Sequence, residues 1–397
     1  MRKQRNRGVI AALVALSIVA AACGDDETTS GTNAPQESTA PGETTTATEE
    51  TTPPEETAVP ADTTGDTVAA DECGELTPVK LQLQWVTQAQ FAGYYAAVDI
   101  TPQTVLANGD ADFAIAWVPK ALASREAGAD IVDIAQVFQR SGTLQVSLAD
   151  SGITSPADFA GKKIGNWGYG NEFEVFAAMT DAGIDPASVE NVAQQFDMVG
   201  LLEGDIDAAE AMTYNEYAQV LETINPDTNE LYQPEDFNVI SYEEVGVGML
   251  QDAIWADGTR LADADYNAMA VSFVAASLQG WAFCRDNVEE CAGIVSDLSP
   301  ILGLTHQTWQ MNEVNKLIWP AEGGVGYIDS AAWARTAKIS QETKNLEGST
   351  VLTAAPDADA YTNDIVTAAH ALLEAMGIDI NGADFAPIDV TLTEGGA

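Results

Sequence analysis

From residue 79 onward the chain alternates between short apolar runs of period two and segments carrying helix signals, and it does so in two blocks. No other feature constrains the fold as strongly. Strands followed by helices build layered α/β lobes, and two such blocks joined by crossing segments predict two lobes with a cleft between them. The first unit, residues 79–100, shows the pattern. Val79, Leu81 and Leu83 fall on one face and Lys80, Gln82 and Gln84 on the other, as in a half-buried strand. Trp85 closes the strand, and residues 88–98 read as a helix opening on Phe91, Tyr94 and Tyr95 around Gly93. Aromatic and amide side chains at the carboxyl end of a strand are what a ligand crevice in an open α/β sheet requires. Simple packing is the alternative: Phe91 and Tyr95, four residues apart, share one helix face.

The same alternation continues. Thr101 caps a helix that Pro102 opens and Gly109 stops, and residues 112–117 (DFAIAW) read as a buried strand ending in Trp117. A helix to Ala127 and strands at 131–138 and 143–148 follow. Ser155 and Pro156 open a short helix stopped by Gly161; a strand at 162–167 then leads through GNWGYGNEFE, residues 165–174, into another helix. The three glycines there permit close backbone approach, and free N–H groups at the helix start favour an anion or a polar ligand edge. A dinucleotide fingerprint is absent from that turn. Strands are expected at 189–196 and 208–212, the latter running into Thr213, Tyr214, Asn215 and Glu216. Residues 238–245 and 252–256 read as segments returning to the first lobe, 264–285 as a long apolar helix, and further helices extend to about 345. The expected lobes are 76–150 with 252–345, and 151–251. Residues 346–397 read as an acidic, peripheral extension.

Composition excludes several partners. Against 61 acidic residues stand 16 basic ones, a net charge of −45, so nucleic acid and anionic headgroups are poor matches for the folded part. Membrane attachment has to come from the amino-terminal segment. Residues 1–22 carry Arg2, Lys3, Arg5 and Arg7 ahead of a short apolar run, the pattern of a secretory signal peptide. Ala20-Ala21-Ala22-Cys23 resembles a bacterial lipoprotein processing site, which implies cleavage before Cys23 and lipidation of its thiol. The residues that follow, to 75, are rich in Thr, Glu and Pro, and over 24–72 hold 13 acidic residues, no basic residue and no aromatic one. They read as a disordered tether. Cys284 and Cys291 flank Asn287, read as an N-cap with Glu290 as its capping-box partner, so a helix break lets the two cysteines form a disulfide in an exported chain. Cys73 has no evident partner.

Three stretches carry a family resemblance: Trp85 with Phe91-Ala92-Gly93-Tyr94-Tyr95, Asp112 to Trp117, and Gly165 to Glu172. By these the chain resembles the NMT1/THI5-like (SsuA/THI5-like) family over roughly residues 77–345. The resemblance implies a type II periplasmic-binding-protein fold of two lobes and an extracytoplasmic, lipid-anchored, monomeric receptor. Such a receptor closes over a small heteroaromatic ligand, a thiamine pyrimidine precursor or riboflavin, and delivers it to an ABC permease. Relatives also bind sulfonates. One departure stands out: the family continues after the Tyr-Tyr helix with a turn and a second strand, whereas here Ala97-Val98-Asp99-Ile100 runs straight into Thr101-Pro102.

The same superfamily includes a thiamine pyrimidine synthase that consumes a histidine and pyridoxal phosphate. Here no Lys lies between Lys80 and Lys120, no His precedes His306, and that enzyme's run of cysteines is missing. No enzyme activity, cofactor or metal site is expected. His306 and His370, 64 positions apart, read as surface or capping residues, and the carboxylates of 203–210 as solvated surface. The expected ligand-binding set is Trp85, Phe91, Tyr94, Tyr95, Trp117, Asn166, Trp167, Tyr169, Asn171, Glu172, Tyr214 and Glu216. Its aromatic rings would form walls for a flat ring, with amides and carboxylates to accept from its N–H groups. Little basic character is expected there, which disfavours sulfonates.

Overall fold

Two separate sheets organise the computed structural model, which describes residues 78–92, 94, 102–168, 170–299 and 301–396. The signal segment, Cys23, the tether, Cys73, Tyr95, Tyr169 and the 97–101 junction lie outside the described residues. In the first part of the chain come β1 (Leu81–Gln82), α1 (Pro102–Ala107), β2 (Phe113–Trp117), α2 (Val118–Glu126) and β3 (Ile131–Gln136). The run Phe-Ala-Ile-Ala in β2 is fully buried because it is covered on both faces, which is why it reads as continuous apolar sequence rather than alternation. Pro119 sits in the first turn of α2, where its missing N–H costs nothing.

The chain then crosses to the second sheet. It forms β4 (Thr143–Leu148), β5 (Lys163–Asn166), α3 (Phe173–Asp181), β6 (Glu190–Ala193), α4 (Val199–Leu202), β7 (Ala209–Met212) and α5 (Glu216–Leu221). A small hairpin, β8 (Ile224–Asn225) with β9 (Glu230–Leu231), precedes β10 (Phe237–Ser241). The return crossing gives β11 (Asp252–Asp257), and the helices α6 (Ala264–Asp286), α7 (Val288–Leu298), α8 (Leu304–Ile318), α9 (Ser330–Glu342) and α10 (Asp364–Ala375) complete the chain.

The first sheet has the order β1-β2-β11-β3, with β1 parallel to β2 and β11 antiparallel to both neighbours, Ile254 opposite Ile115 and Ala135. The second has the order β10-β4-β7, all antiparallel. The parallel pair β5-β6 abuts β7 through Gly165 N donating to Ala208 O at 2.8 Å. Buried amides tie the two crossing strands together. Gln251 Nε2 donates to Thr143 Oγ1 at 2.8 Å while its Oε1 accepts from Gly142 N at 2.9 Å, and Gln136 Nε2 donates to Phe138 O at 2.9 Å. These buried amide bonds fix one arrangement of the crossings.

Several expectations need correction. Residues 143–148 and 238–245 do not belong to the first lobe: β4 pairs with β10 and β7, and only β11 returns. The first strand is shorter than its alternation suggests, because β2 pairs with it only at Leu81 and Gln82. In place of the start of a long helix, Ala89–Phe91 is a single 3-10 turn whose Ala89 N is bound by Gln307 Oε1 at 2.8 Å and Gln310 Oε1 at 3.0 Å. Residues 346–397 are not peripheral. Helix α10 turns Ile365, Val366, Ala369 and Leu373 into the main core, where the α6 stripe of Tyr266, Ala270, Val274 and Leu278 also lies.

The link between α6 and α7 holds the disulfide Cys284–Cys291, with Cα atoms 5.4 Å apart. The capping box expected there is absent: Asn287 sends its amide backward to Phe283 O at 2.9 Å instead of capping α7. Glu210, read as surface, is fully buried, and His370 is buried with Nε2 2.7 Å from Val325 O.

Candidate functional site

A cavity of about 290 Å³ opens between the two sheets. Every wall comes from the carboxyl end of a strand: Gln84 and Trp85 after β1, Trp117 and Lys120 after β2, Trp167 after β5, Phe196 after β6, Tyr214 and Glu216 after β7. Open α/β sheets bind their ligands there, in the crevice outside the carboxyl ends of the strands.

Of the expected residues the structure brings together Trp85, Trp117, Trp167, Asn171, Tyr214 and Glu216. Four others are placed elsewhere. Phe91 is fully buried in the core below the 3-10 turn, so the packing alternative holds for it. Tyr94 is buried edge-on against Trp281, centroids 5.7 Å apart at 77°. Asn166 turns its Oδ1 to Gly168 N at 3.0 Å, and Glu172 accepts from Gly170 N at 2.8 Å. Both therefore shape the glycine turn instead of facing the cavity. With Asn171 N bound to Gly168 O at 3.0 Å, the N–H groups of Gly168, Gly170 and Asn171 have acceptors within the chain.

Sequence reasoning missed Lys120, Phe196, Gln84, Gln90 and Asp252. Phe196 stacks with Trp167 at a centroid distance of 6.2 Å and 15°, and meets Trp85 from the other sheet at 5.1 Å and 51°. Trp85 is 48% and Phe196 53% exposed, so this three-ring row forms the mouth of the cavity. The rule that located Trp85 would have located Phe196, an aromatic closing the next parallel strand. Asp252 could not be found that way, because it opens a strand instead of ending one.

Electrostatics at the cavity are set by burial. Asp252 accepts from Gln90 Nε2 at 2.9 Å and from Gln84 Nε2; burial pushes its carboxyl up to about 7 against the pull of the Gln90 bond, the Trp117 side chain and the Lys120 charge. Glu210, whose Oε2 accepts from Trp167 N at 2.9 Å, is pushed well above the carboxylate range by burial. Burial also raises Glu216, although Met212 N at 2.9 Å and Asn215 Nδ2 at 2.7 Å donate to it. Lys120 is lowered by burial, opposed by the charges of Glu210, Asp252 and Glu172. Its Nζ sits 4.9 Å from the centroid of Trp117.

Similarity to known proteins agrees with this geometry. The sequence family described as "NMT1/THI5 like" matches residues 93–291, just over half of the chain. No curated protein matches. Among solved structures, the putative periplasmic sulfonate-binding protein SsuA from Methylobacillus flagellatus KT is 15% identical with a TM-score of 0.51, over 73% of this chain and 82% of its own. The periplasmic aliphatic sulphonate binding protein SsuA from Escherichia coli is 11% identical with a TM-score of 0.50, over 79% and 94%. A DSZB variant in complex with biphenyl-2-sulfinic acid is 12% identical with a TM-score of 0.50, over 74% and 99%. At these identities the structures establish the fold, a two-lobed periplasmic-binding-protein architecture. Together with the match at 93–291, they show that the chain belongs to the NMT1/THI5-like family.

Proposed function

We propose that this protein is the extracytoplasmic receptor of an ABC importer, not an enzyme, and that its cargo is a small flat heteroaromatic molecule. The observation that carries this reading is the cavity itself: Trp85, Trp117, Trp167 and Tyr214 around about 290 Å³, with amides and Glu216 between them. Ligand pockets span about 300–1,000 Å³, so this one suits a single-ring thiamine pyrimidine precursor better than riboflavin. Each aromatic contact contributes about 0.5–1.5 kcal/mol beyond burial. Two or three, with hydrogen bonds, reach the roughly −8 kcal/mol of micromolar binding. In this reading Cys23 carries the lipid anchor, residues 24–72 hold the monomeric domain clear of the membrane, and the closed receptor passes its cargo to a permease.

A second reading, a receptor for sulfonates, is favoured by one observation, the ammonium of Lys120 in the cavity wall. A thermal-shift series separates them. Aminopyrimidines are expected to raise the melting temperature of the purified chain, while taurine and pyridoxal phosphate leave it unchanged. Stabilisation by taurine alone would select the sulfonate reading, and a covalent lysine adduct with pyridoxal phosphate would overturn both.

A further inference from the structure

Lys120 stands in the first turn of α2, directly after β2, and reaches across the cleft. A Cβ placed at Gly170, on the opposite wall, would lie 3.8 Å from Lys120 Cε and 3.9 Å from Cγ. The stem is therefore packed and the position of the head defined. Among the described residues Nζ makes no hydrogen bond and no ion pair, and it lies over the Trp117 ring. An ammonium has three donors and no acceptor, so in a half-buried position it takes acceptors from whatever enters the cavity. The lining amides and Glu216 are already engaged. Gln84 Oε1 accepts from Trp117 N at 3.1 Å, Gln90 Nε2 serves Asp252, and Glu216 holds Met212 N and Asn215. The indole N–H groups of Trp117 and Trp167 also lack acceptors, but Lys120 is the one charged donor among the lining residues, and a bound ligand supplies its acceptor.

Which acceptor is decided by the surrounding charge. Glu210, Asp252 and Glu172 act on Lys120, and Glu216 lines the same space. Lys120 is the single cation among the lining residues; Glu216 lines the cavity with it, Asp252 stands just behind Gln84 and Gln90, and ionisation of either carboxyl already balances the ammonium. A second negative charge would find no compensation. We infer that Lys120 is the specificity-determining anchor of the site and that it reads an uncharged carbonyl oxygen on the edge of a flat heteroaromatic ligand, not a sulfonate or carboxylate. This rests on the cavity being the ligand site, as proposed above.

Calorimetric titration of the purified chain with three matched rings tests it: 4-aminopyrimidine, cytosine, which adds a ring carbonyl, and 4-aminopyrimidine-2-carboxylate, which puts a carboxylate in the carbonyl's place. Benzenesulfonate completes the panel. Cytosine is expected to bind tightest, to lose roughly 10- to 100-fold on Lys120→Met, the scale of a hydrogen bond to a charged group, and to be largely rescued by Lys120→Arg. 4-Aminopyrimidine is expected to bind more weakly and equally to all three proteins. Unfolding temperatures without ligand report whether the variants fold, and Lys120→Gln provides a second uncharged side chain. Cytosine affinity unchanged in both Met and Gln variants would overturn the anchor. Tightest binding by 4-aminopyrimidine-2-carboxylate or benzenesulfonate would overturn the uncharged acceptor. If no ring bound the wild-type chain at all, the cavity reading itself would fail, and this inference with it.

Discussion

At the scale of single residues, burial is the dominant force at the site, and it makes a pH dependence predictable. Asp252 and Glu174 are each raised to about 7 by burial, against the hydrogen bonds they accept from Gln90 Nε2 and from Met249 N at 2.6 Å. Unfolded carboxyl groups titrate near about 4. The folded chain therefore holds protons that the unfolded chain has released. The stability these groups contribute is complete below about pH 4 and is lost as pH rises toward 7. Denaturant unfolding of wild type and of Asp252→Asn and Glu174→Gln at pH 5 and pH 8 measures it. Wild type should lose more stability across that interval than either variant, whereas equal slopes would show that these carboxyls titrate as ordinary ones. The residue scale is also where the sequence was least informative. Trp85, Trp117 and Trp167 were legible because strand ends announce themselves, but Asp252 and Lys120 become site residues only through contacts with partners 30 to 170 positions away.

Among the elements, α8 does the most to hold the two walls in place. One end of it carries Gln307 and Gln310, which bind the turn bearing Gln90. Its first turn carries His306, with Nδ1 3.0 Å from both oxygens of Glu222 and Nε2 3.0 Å from Asn215 Oδ1. Asn215 in turn holds the cavity residue Glu216. His306, expected to be a surface or capping residue, is therefore a strut between the helix on one side of the cavity and α5 on the other. His306→Leu should cost about 1–3 kcal/mol, because it leaves the buried Glu222 without its partner, and should weaken ligand binding by loosening Glu216. Chemical unfolding together with ligand titration checks both; a variant as stable and as tight-binding as wild type would remove α8 from this role. Element type was largely legible in the sequence, since β2, α6 and the short capped helices follow local rules. Element placement was not. That β4 and β10 pair with each other, and that α10 packs on α6, depends on long-range partners that no local period encodes.

For the whole molecule, the two crossing strands, tied by Gln136 and Gln251, join two sheets whose strand ends converge on one cavity. The two-lobed plan was visible in the alternation, and the family in three short motifs, because both are written in contiguous residues. Its acidic surface, net −45, sets solubility and long-range repulsion of anions, and supports a neutral or cationic cargo over an anionic one. The central claim is that the cavity between the sheets binds a small flat heteroaromatic molecule. Trp85, Trp117 and Trp167 all line it, so bound ring ligands should report on themselves. The most direct measurement is a tryptophan-fluorescence titration of the purified chain with an aminopyrimidine, in wild type and in a Trp167→Ala, Tyr214→Ala double variant. The account predicts saturable quenching at micromolar or lower concentration in wild type and its loss in the double variant. Binding that survives both substitutions, or no binding by any ring ligand, would contradict it.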